Sequence, residues 1–108
     1  KSYFSISEVK NILRGDMMSC CSYTIGTIVD ISDIMNQPYK FITIGKVPGD
    51  IYTYTRLVYS EETIILDHEY NEIGVEDLKV GDTVVTFHSN AMTMSIPPQT
   101  SVFIIEVK

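Results

Sequence analysis

The stretch Ser22-Tyr-Thr-Ile-Gly-Thr-Ile-Val-Asp-Ile31 decides the fold class. Its residues alternate in character with a period of two, which indicates a β-strand with one strongly apolar face. That apolar face is predicted to comprise Tyr23, Ile25, Thr27, Val29 and Ile31. Gly26 predicts a bulge or bend, as barrels use where a strand curves around a corner. We therefore expect the first strand of a small barrel here.

Further strand patterns follow, rich in β-branched and aromatic residues and separated by turn signals such as Val47-Pro-Gly-Asp50. They cover residues 41–45, 51–59, 63–66, 83–88 and 102–107, with a short helical piece at 74–78. The last strand is apolar on both faces except at Glu106, so we expect it to be central. A sheet of this size closes into a barrel to remove its edges. The fold predicted is mainly β: a small antiparallel OB-like Greek-key barrel. An open sheet or a sandwich is the alternative.

Residues 1–20 are predicted to form an N-terminal amphipathic helix and its lead-in. Ser5-Ile-Ser-Glu8 has the spacing of a capping box, and Gly15 is a natural stop. The apolar positions at helical spacing are Ile6, Val9, Ile12 and Leu13. We expect this helix to pack outside a barrel formed by residues 21–108, with the whole chain, 1–108, as a single domain.

The charge balance disfavours two classes of partner. Eight Lys and Arg stand against fourteen Asp and Glu among 108 residues, a net charge of −6, and the positive residues are scattered. Such a domain repels phosphate backbones and anionic lipid surfaces. No apolar run approaches the ~18 residues that span a bilayer. We expect neither nucleic-acid binding nor a membrane span.

The two cysteines, Cys20 and Cys21, are adjacent. Neighbouring Cα atoms lie about 3.8 Å apart, below the usual range for a disulfide, so a strain-free bridge between them is not expected. The sequence predicts reduced thiols that serve as small apolar residues. A redox switch or a soft-metal pair is the functional alternative, but no CxxC or Cys/His spacing supports it.

Catalytic motifs are absent from the sequence. It contains no G-x-S-x-G elbow, no H-E-x-x-H and no phosphate-cradling glycine loop. The segment Asp67-His68-Glu69 has the composition of a solvated surface loop. We therefore predict no enzymatic activity, no catalytic residue and no cofactor.

The connection between the last two strands, residues 89–100, is the candidate functional site. Hairpin connections usually have two to five residues, so a longer and apolar one asks for an explanation. Methionine adapts its shape to partners, and consecutive prolines favour an extended backbone. We predict a non-catalytic module that binds a protein or peptide, with Tyr52, Tyr54 and Tyr59 adding amphipathic surface. The predicted binding surface comprises Ala91, Met92, Met94, Ile96, Pro97, Pro98 and Gln99.

Two alternatives to this binding surface stay open. The loop 89–100 could instead fold back and plug one end of the barrel, with Met92 and Ile96 buried. It could also bind a soft metal, since Met92 and Met94 face one side of an extended segment and His88 has the same parity. Thioether and imidazole donors together suit Cu(I).

Two segments carry a family resemblance. Glu76-Asp-Leu-Lys-Val-Gly-Asp-Thr-Val-Val85 resembles the "dLkvGd.V.v" element of many small bacterial β-barrel modules, often found in exported proteins. Residues 88–100 are similar to a "HSxAMTxSIPPQ" signature of uncharacterised bacterial domains of that kind and, more loosely, to the "S-x-P-x-Q" ending of YobA-like lipoproteins. Met94 stands where the family pattern has arginine. The resemblance implies an OB-like barrel and an extracytoplasmic setting, and it implies no particular activity.

Overall fold

The computed structural model describes residues 21–108, which form a mainly β structure of seven strands. The strands are β1 (Ser22–Asp33), β2 (Lys40–Gly45), β3 (Tyr54–Tyr59), β4 (Ile64–Leu66), β5 (Glu72–Ile73), β6 (Thr83–His88) and β7 (Gln99–Val107). Two single-turn 3-10 helices, Ile51–Thr53 and Val75–Asp77, lie in the connections. The helix predicted within 1–20 lies outside the described residues.

Five of the strands close a barrel in the order β1-β2-β3-β7-β6, with β6 returning to β1. Every pairing in this ring is antiparallel except β3 with β7, which is parallel. An odd number of strands cannot alternate in direction all the way around a ring, so one pairing must be parallel. The prediction of an antiparallel barrel is corrected at this seam. β4 then continues along β7, also in parallel, and β5 pairs with β4.

Strand β7 holds the barrel together, since it pairs with β6, β3 and β4. Its predicted central position is therefore confirmed. The main core fills the barrel with branched aliphatic side chains from most of the strands. Its buried members are Ile28, Ile42, Ile44, Leu57, Ile65, Leu78, Val84, Val102 and Ile105. Nine such side chains contribute about 1.5–3 kcal/mol each relative to exposure, which is the main source of stability for a domain of this size.

The face of β1 that is buried is not the one that was predicted. Tyr23 and Ile25 are 65% and 48% exposed, whereas Ile28 on the other face is fully buried in the core. Gly26 suits this orientation, because a Cβ there would lie only 3.0 Å from the carbonyl oxygen of Gly45 on β2. A shift in register between Ile28 and Asp30 then reverses the alternation, and Ile31 packs on the core. The bulge therefore lies after Ile28 rather than at Gly26.

Three other predictions are corrected. Residues 51–53 form a 3-10 helix rather than the start of a strand, because the Asp50 carboxylate accepts the Tyr52 amide at 3.1 Å and caps the turn. β7 begins at Gln99, which shortens the connection to residues 89–98. Cys21 is disulfide-bonded, so the prediction of a reduced thiol is wrong for this residue.

In the part of the chain from residue 21 onward, no helix has the length and apolar character needed to cross a bilayer.

Candidate functional site

The loop between β6 and β7, residues 89–98, has a hydrogen-bonded tip. The Thr93 amide donates to the Gln99 carbonyl, and the Gln99 amide donates to Thr93 Oγ1, each at 2.9 Å. Within the ring that these bonds close, Ser95 Oγ donates to the Pro97 carbonyl at 2.9 Å. The Ile96–Pro97 peptide bond is cis. The three hydrogen bonds give the tip a defined backbone although it belongs to no regular element.

The base of the loop is fastened to the barrel. Thr100 is buried, and its hydroxyl lies 2.8 Å from the Ala91 carbonyl and 3.1 Å from that of Ser89. The Ser89 amide donates to the Ser101 carbonyl at 2.9 Å. On the neighbouring strand β3, the Arg56 amide donates to the Pro98 carbonyl at 2.8 Å. The loop is thus attached to both β7 and β3, which fixes its direction.

The apolar side chains of this loop point into solvent. Met92 is 40% exposed, Ile96 is 64% exposed and Met94 is fully exposed. The alternative in which the loop plugs the barrel predicted that Met92 and Ile96 are buried. Both side chains are exposed, so the loop does not plug the barrel in this way. Among the other predicted surface residues, Ala91 is exposed, whereas Pro97, Pro98 and Gln99 are half-buried.

Two open depressions, each of about 400 Å³, adjoin on either side of Met92. The mouth depression lies between this loop and the β2–β3 connection, where Lys46, Tyr52 and Tyr54 face Met92 and Pro98. The seam depression lies over the parallel β3–β7 pairing, with Val58 and Ser101 beneath Met92. The sequence analysis did not identify three of these lining residues, Lys46, Val58 and Ser101. Because side chains alternate along β3, the sequence does indicate that Val58 faces outward. Only the pairing of β3 with β7 shows that Ser101 lies beside it.

The three tyrosines proposed as amphipathic surface have separate positions. Tyr52 is exposed, and Tyr54 is half-buried with its hydroxyl oxygen accepting the Gly49 amide at 2.9 Å; both line the mouth depression. Tyr59 instead packs against the main core. Burial raises the pKa of Tyr59, and the nearby carboxylates of Glu76 and Glu61 raise it further. Tyr59 therefore belongs to the opposite, acidic end of β3.

His88 is buried at the end of β6, and both of its ring nitrogens have partners. Nδ1 lies 3.0 Å from the Ser89 carbonyl, and Nε2 lies 2.8 Å from Thr24 Oγ1. A carbonyl oxygen only accepts, so Nδ1 carries the proton, and in the neutral ring Nε2 accepts from the threonine hydroxyl. The Cu(I) hypothesis assumed an extended segment, whereas residues 89–98 form no strand. Binding of Cu(I) by His88, Met92 and Met94 stays a prediction.

The segment Asp67-His68-Glu69 forms a surface turn. Asp67 Oδ1 accepts the amides of Asn71 and Glu69, each at 2.9 Å. The Asn71 amide lowers the pKa of the Asp67 carboxyl; desolvation opposes this effect, and the Glu69 amide adds to it. Across residues 21–108, no three His, Cys, Asp or Glu side chains are arranged to hold a metal ion.

Comparisons with known proteins do not assign the chain to a family. No protein-family model matches it, and no curated protein matches it significantly. The resemblance carried by residues 76–85 and 88–100 therefore stays a prediction.

Proposed function

We propose that this chain is a non-catalytic binding module that takes a protein or peptide partner on the loop 89–98. The observation that carries this proposal is the combination of exposed apolar side chains with a fixed backbone. Met92, Met94 and Ile96 face solvent on a loop held by hydrogen bonds to β3 and β7. Isolated exposed apolar residues are ordinary on protein surfaces, but three of them within five residues of one loop favour an interaction site.

A fixed loop favours binding because little conformational freedom is lost when the partner arrives. Ordering a rotamer-rich side chain at an interface costs about 0.5–1.5 kcal/mol, and ordering a backbone costs more. The ring closed by Thr93 and Gln99 has already ordered the backbone of the tip. The methionine side chains keep their flexibility and can adapt to the shape of the partner.

The loop itself favours a partner that presents apolar or neutral groups. Between Asp82 and Glu106 the sequence contains no Asp, Glu, Lys or Arg. An uncharged loop gives little electrostatic attraction of its own, so the affinity that it contributes must come from contact area and shape. Tyr52 and Tyr54 in the adjoining mouth depression add aromatic area with polar tips, a composition common at interfaces.

We also propose that the barrel is of the OB-like Greek-key type. A five-strand barrel in the order β1-β2-β3-β7-β6, with its single parallel seam between β3 and β7, has the strand order of an OB-like Greek-key barrel. In such barrels the loop between the last two strands of the ring commonly takes part in ligand binding. That loop is 89–98 here, although an analogy at the level of the fold supports a location and not a ligand.

Selection of peptides on the immobilised domain tests the proposal. We expect a library of random nonapeptides to yield sequences that bind the wild-type domain and lose most of that binding on the variants Met94→Ser and Ile96→Ser. Ile96→Ser is expected to change the free energy of unfolding by no more than about 0.5 kcal/mol, since the side chain is exposed. A loss of binding by Ile96→Ser can then be attributed to the surface rather than to unfolding.

The matched control is Val80→Ser. Val80 is 63% exposed, close to the exposure of Ile96, but it lies in the turn before β6 and lines neither depression beside Met92. Selected peptides should bind this variant as they bind the wild type. Equal binding to Val80→Ser and Ile96→Ser, or selection of no peptide at all, would remove the loop from consideration as a partner site.

A further inference from the structure

The mouth depression has polar residues at its base, at one end of the barrel. Leu57 and Ile28 face the core, so strand alternation turns Thr55 on β3 and Thr24 on β1 toward the same interior. Both threonines line the depression, whose volume is about 390 Å³. Ligand sites often occupy the mouths of β-barrels, and their volumes run from about 300 to 1,000 Å³. At the lower end of this range, the depression suits one small group rather than a long segment.

The hydroxyl of Thr55 has no hydrogen-bond partner among the described residues. Thr55 is only 8% exposed, and its side chain takes part in none of the hydrogen bonds that residues 21–108 form with one another. Across the same residues, no side-chain oxygen or nitrogen is both buried and without a partner. The Thr55 oxygen is therefore accessible, and it is accessible through the mouth depression that the residue lines. A largely buried hydroxyl gains from a hydrogen bond, which a ligand in the depression would supply.

The groups around this hydroxyl are mainly hydrogen-bond donors. Neither ion pair of the described residues involves Lys46, so its ammonium on the rim has no carboxylate partner there. The Tyr54 oxygen accepts the Gly49 amide at 2.9 Å and keeps its own proton to donate. No Asp or Glu lines the depression, and the carboxylate of Asp50 in the same connection caps the 3-10 helix. A cation and hydroxyl donors without a competing acid suit a carboxylate.

Thr24 adds an acceptor beside these donors. In the neutral ring of His88, Nδ1 donates to the Ser89 carbonyl, so Nε2 accepts the proton of the Thr24 hydroxyl, 2.8 Å away. The Thr24 oxygen is left as an acceptor, which suits an N–H group of the ligand. Met92 and Pro98 supply apolar surface in the same depression. A carboxylate, a neighbouring N–H and an apolar group occur together at the carboxyl end of a peptide.

We infer that the mouth depression binds the carboxyl terminus of a peptide whose last side chain is apolar. The terminal carboxylate pairs with Lys46 and accepts a hydrogen bond from the Thr55 hydroxyl, while the last side chain contacts Met92 and Pro98. This inference rests on the proposed function and deepens it by naming the part of the partner that is recognised. Met92 belongs to the loop 89–98, so the rest of the partner continues onto that loop.

The test compares free and amidated forms of the same peptide. From a library of random nonapeptides with free carboxyl termini, the wild-type domain should select peptides that end in an apolar residue. Amidation removes the terminal charge and should weaken binding about five- to twentyfold by fluorescence anisotropy. A third form has an amidated end and an aspartate next to the last residue, and it should bind as weakly as the amide. Binding of this form as tight as that of the free acid would show that any carboxylate suffices and would overturn recognition of the terminus.

Two variants of the domain test the assigned residues, each with a matched control. Lys46→Met should weaken the free acid about three- to tenfold but leave the amidated peptide within about twofold, because only the charge is lost. Lys79→Met, at an exposed lysine outside the depression, should change neither. Thr55→Val should weaken the free acid about two- to fivefold and should not lower the melting temperature, since the hydroxyl has no partner within residues 21–108. Thr43→Val, at a buried threonine of β2 outside the depression, should leave binding unchanged.

The outcomes separate this inference from the proposed function. Peptides that depend on Ile96 but bind equally as acid and amide would overturn the inference at the mouth depression and leave the loop as the partner site. Equal weakening of acid and amide by Lys46→Met would show that the charge is not what is recognised, and would also overturn the inference. Selection of no peptide by the wild-type domain would reject the proposed function itself.

Discussion

The hydroxyl of Thr100 offers the sharpest test of how the loop is held. Thr100→Val keeps the shape of the side chain and removes only the hydrogen bond at the base of the loop. The Ser89 carbonyl keeps its contact with His88 Nδ1 at 3.0 Å, whereas the Ala91 carbonyl loses the donor that lies 2.8 Å from it. Because the side chain is buried, we expect the free energy of unfolding to fall by about 1–2 kcal/mol.

Urea denaturation measures that loss, which for a domain of this size lowers the midpoint by roughly 1 M. Hydrogen exchange then tests which backbone amides lose protection. The amides of Thr93 and Gln99 close the tip, and their protection should fall about 5- to 30-fold if the base no longer holds the loop.

The matched control is Thr63→Val. Thr63 is also buried, and its hydroxyl donates to the Val102 carbonyl at 2.8 Å, but it fastens the turn before β4 rather than the loop. We expect a similar loss of stability without faster local opening of the tip at Thr93 and Gln99. A change of less than about 0.5 kcal/mol for Thr100→Val, or equal effects of both variants on the tip amides, would refute the reasoning.

Three further predictions follow. Gly26→Ala should lower the free energy of unfolding by about 1–3 kcal/mol, because the added methyl would lie 3.0 Å from the Gly45 carbonyl oxygen; an unchanged urea midpoint would contradict this. The domain should leave Cu(I) on a competing chromophoric chelator, because both ring nitrogens of His88 have partners; stoichiometric transfer that Met92→Leu abolishes would show otherwise. The Asn71 and Glu69 amides lower the folded-state pKa of Asp67, so its contribution to stability is present above the unfolded value of about 3.9 and is lost as pH falls through the folded pKa. Asp67→Asn should therefore flatten the acid side of the stability profile, as urea melts between about pH 2 and pH 5 would measure.

Local sequence signals predicted several elements well. β6 occupies the predicted residues 83–88, because a turn at Gly81 precedes an uninterrupted run of β-branched and aromatic residues. β7 was predicted to be central from its apolar faces, and it pairs with three strands. Both predictions depend on neighbours in sequence, which alternation and turn chemistry describe directly.

The remaining features depend on contacts between distant residues. The orientation of β1 was predicted wrongly because the more apolar face is not the one turned inward; Gly26 lies on the inward face, close to Gly45 of β2, a contact that the sequence pattern does not contain. The parallel seam between β3 and β7 follows from closing an odd number of strands, which the local pattern of either strand does not contain. For the same reason Val58 and Ser101 could not be joined into one site from the sequence.

The direction of the loop 89–98 also could not be predicted from its sequence alone. The loop has apolar side chains at its tip and polar groups at its base, and the two have different roles. Met92 and Ile96 would suit a buried plug as well as an exposed projection, so their hydrophobicity does not decide between the two. The polar groups decide, because the Thr100 hydroxyl binds carbonyl groups of the loop and the Ser89 amide binds the Ser101 carbonyl of β7, which together hold the loop at the end of the barrel. A buried hydroxyl is stabilising only where its hydrogen bonds are made, and here they are made to the loop. The hydrogen bonds of these polar residues thus hold the loop in place, and the side chains of Met92, Met94 and Ile96 face solvent.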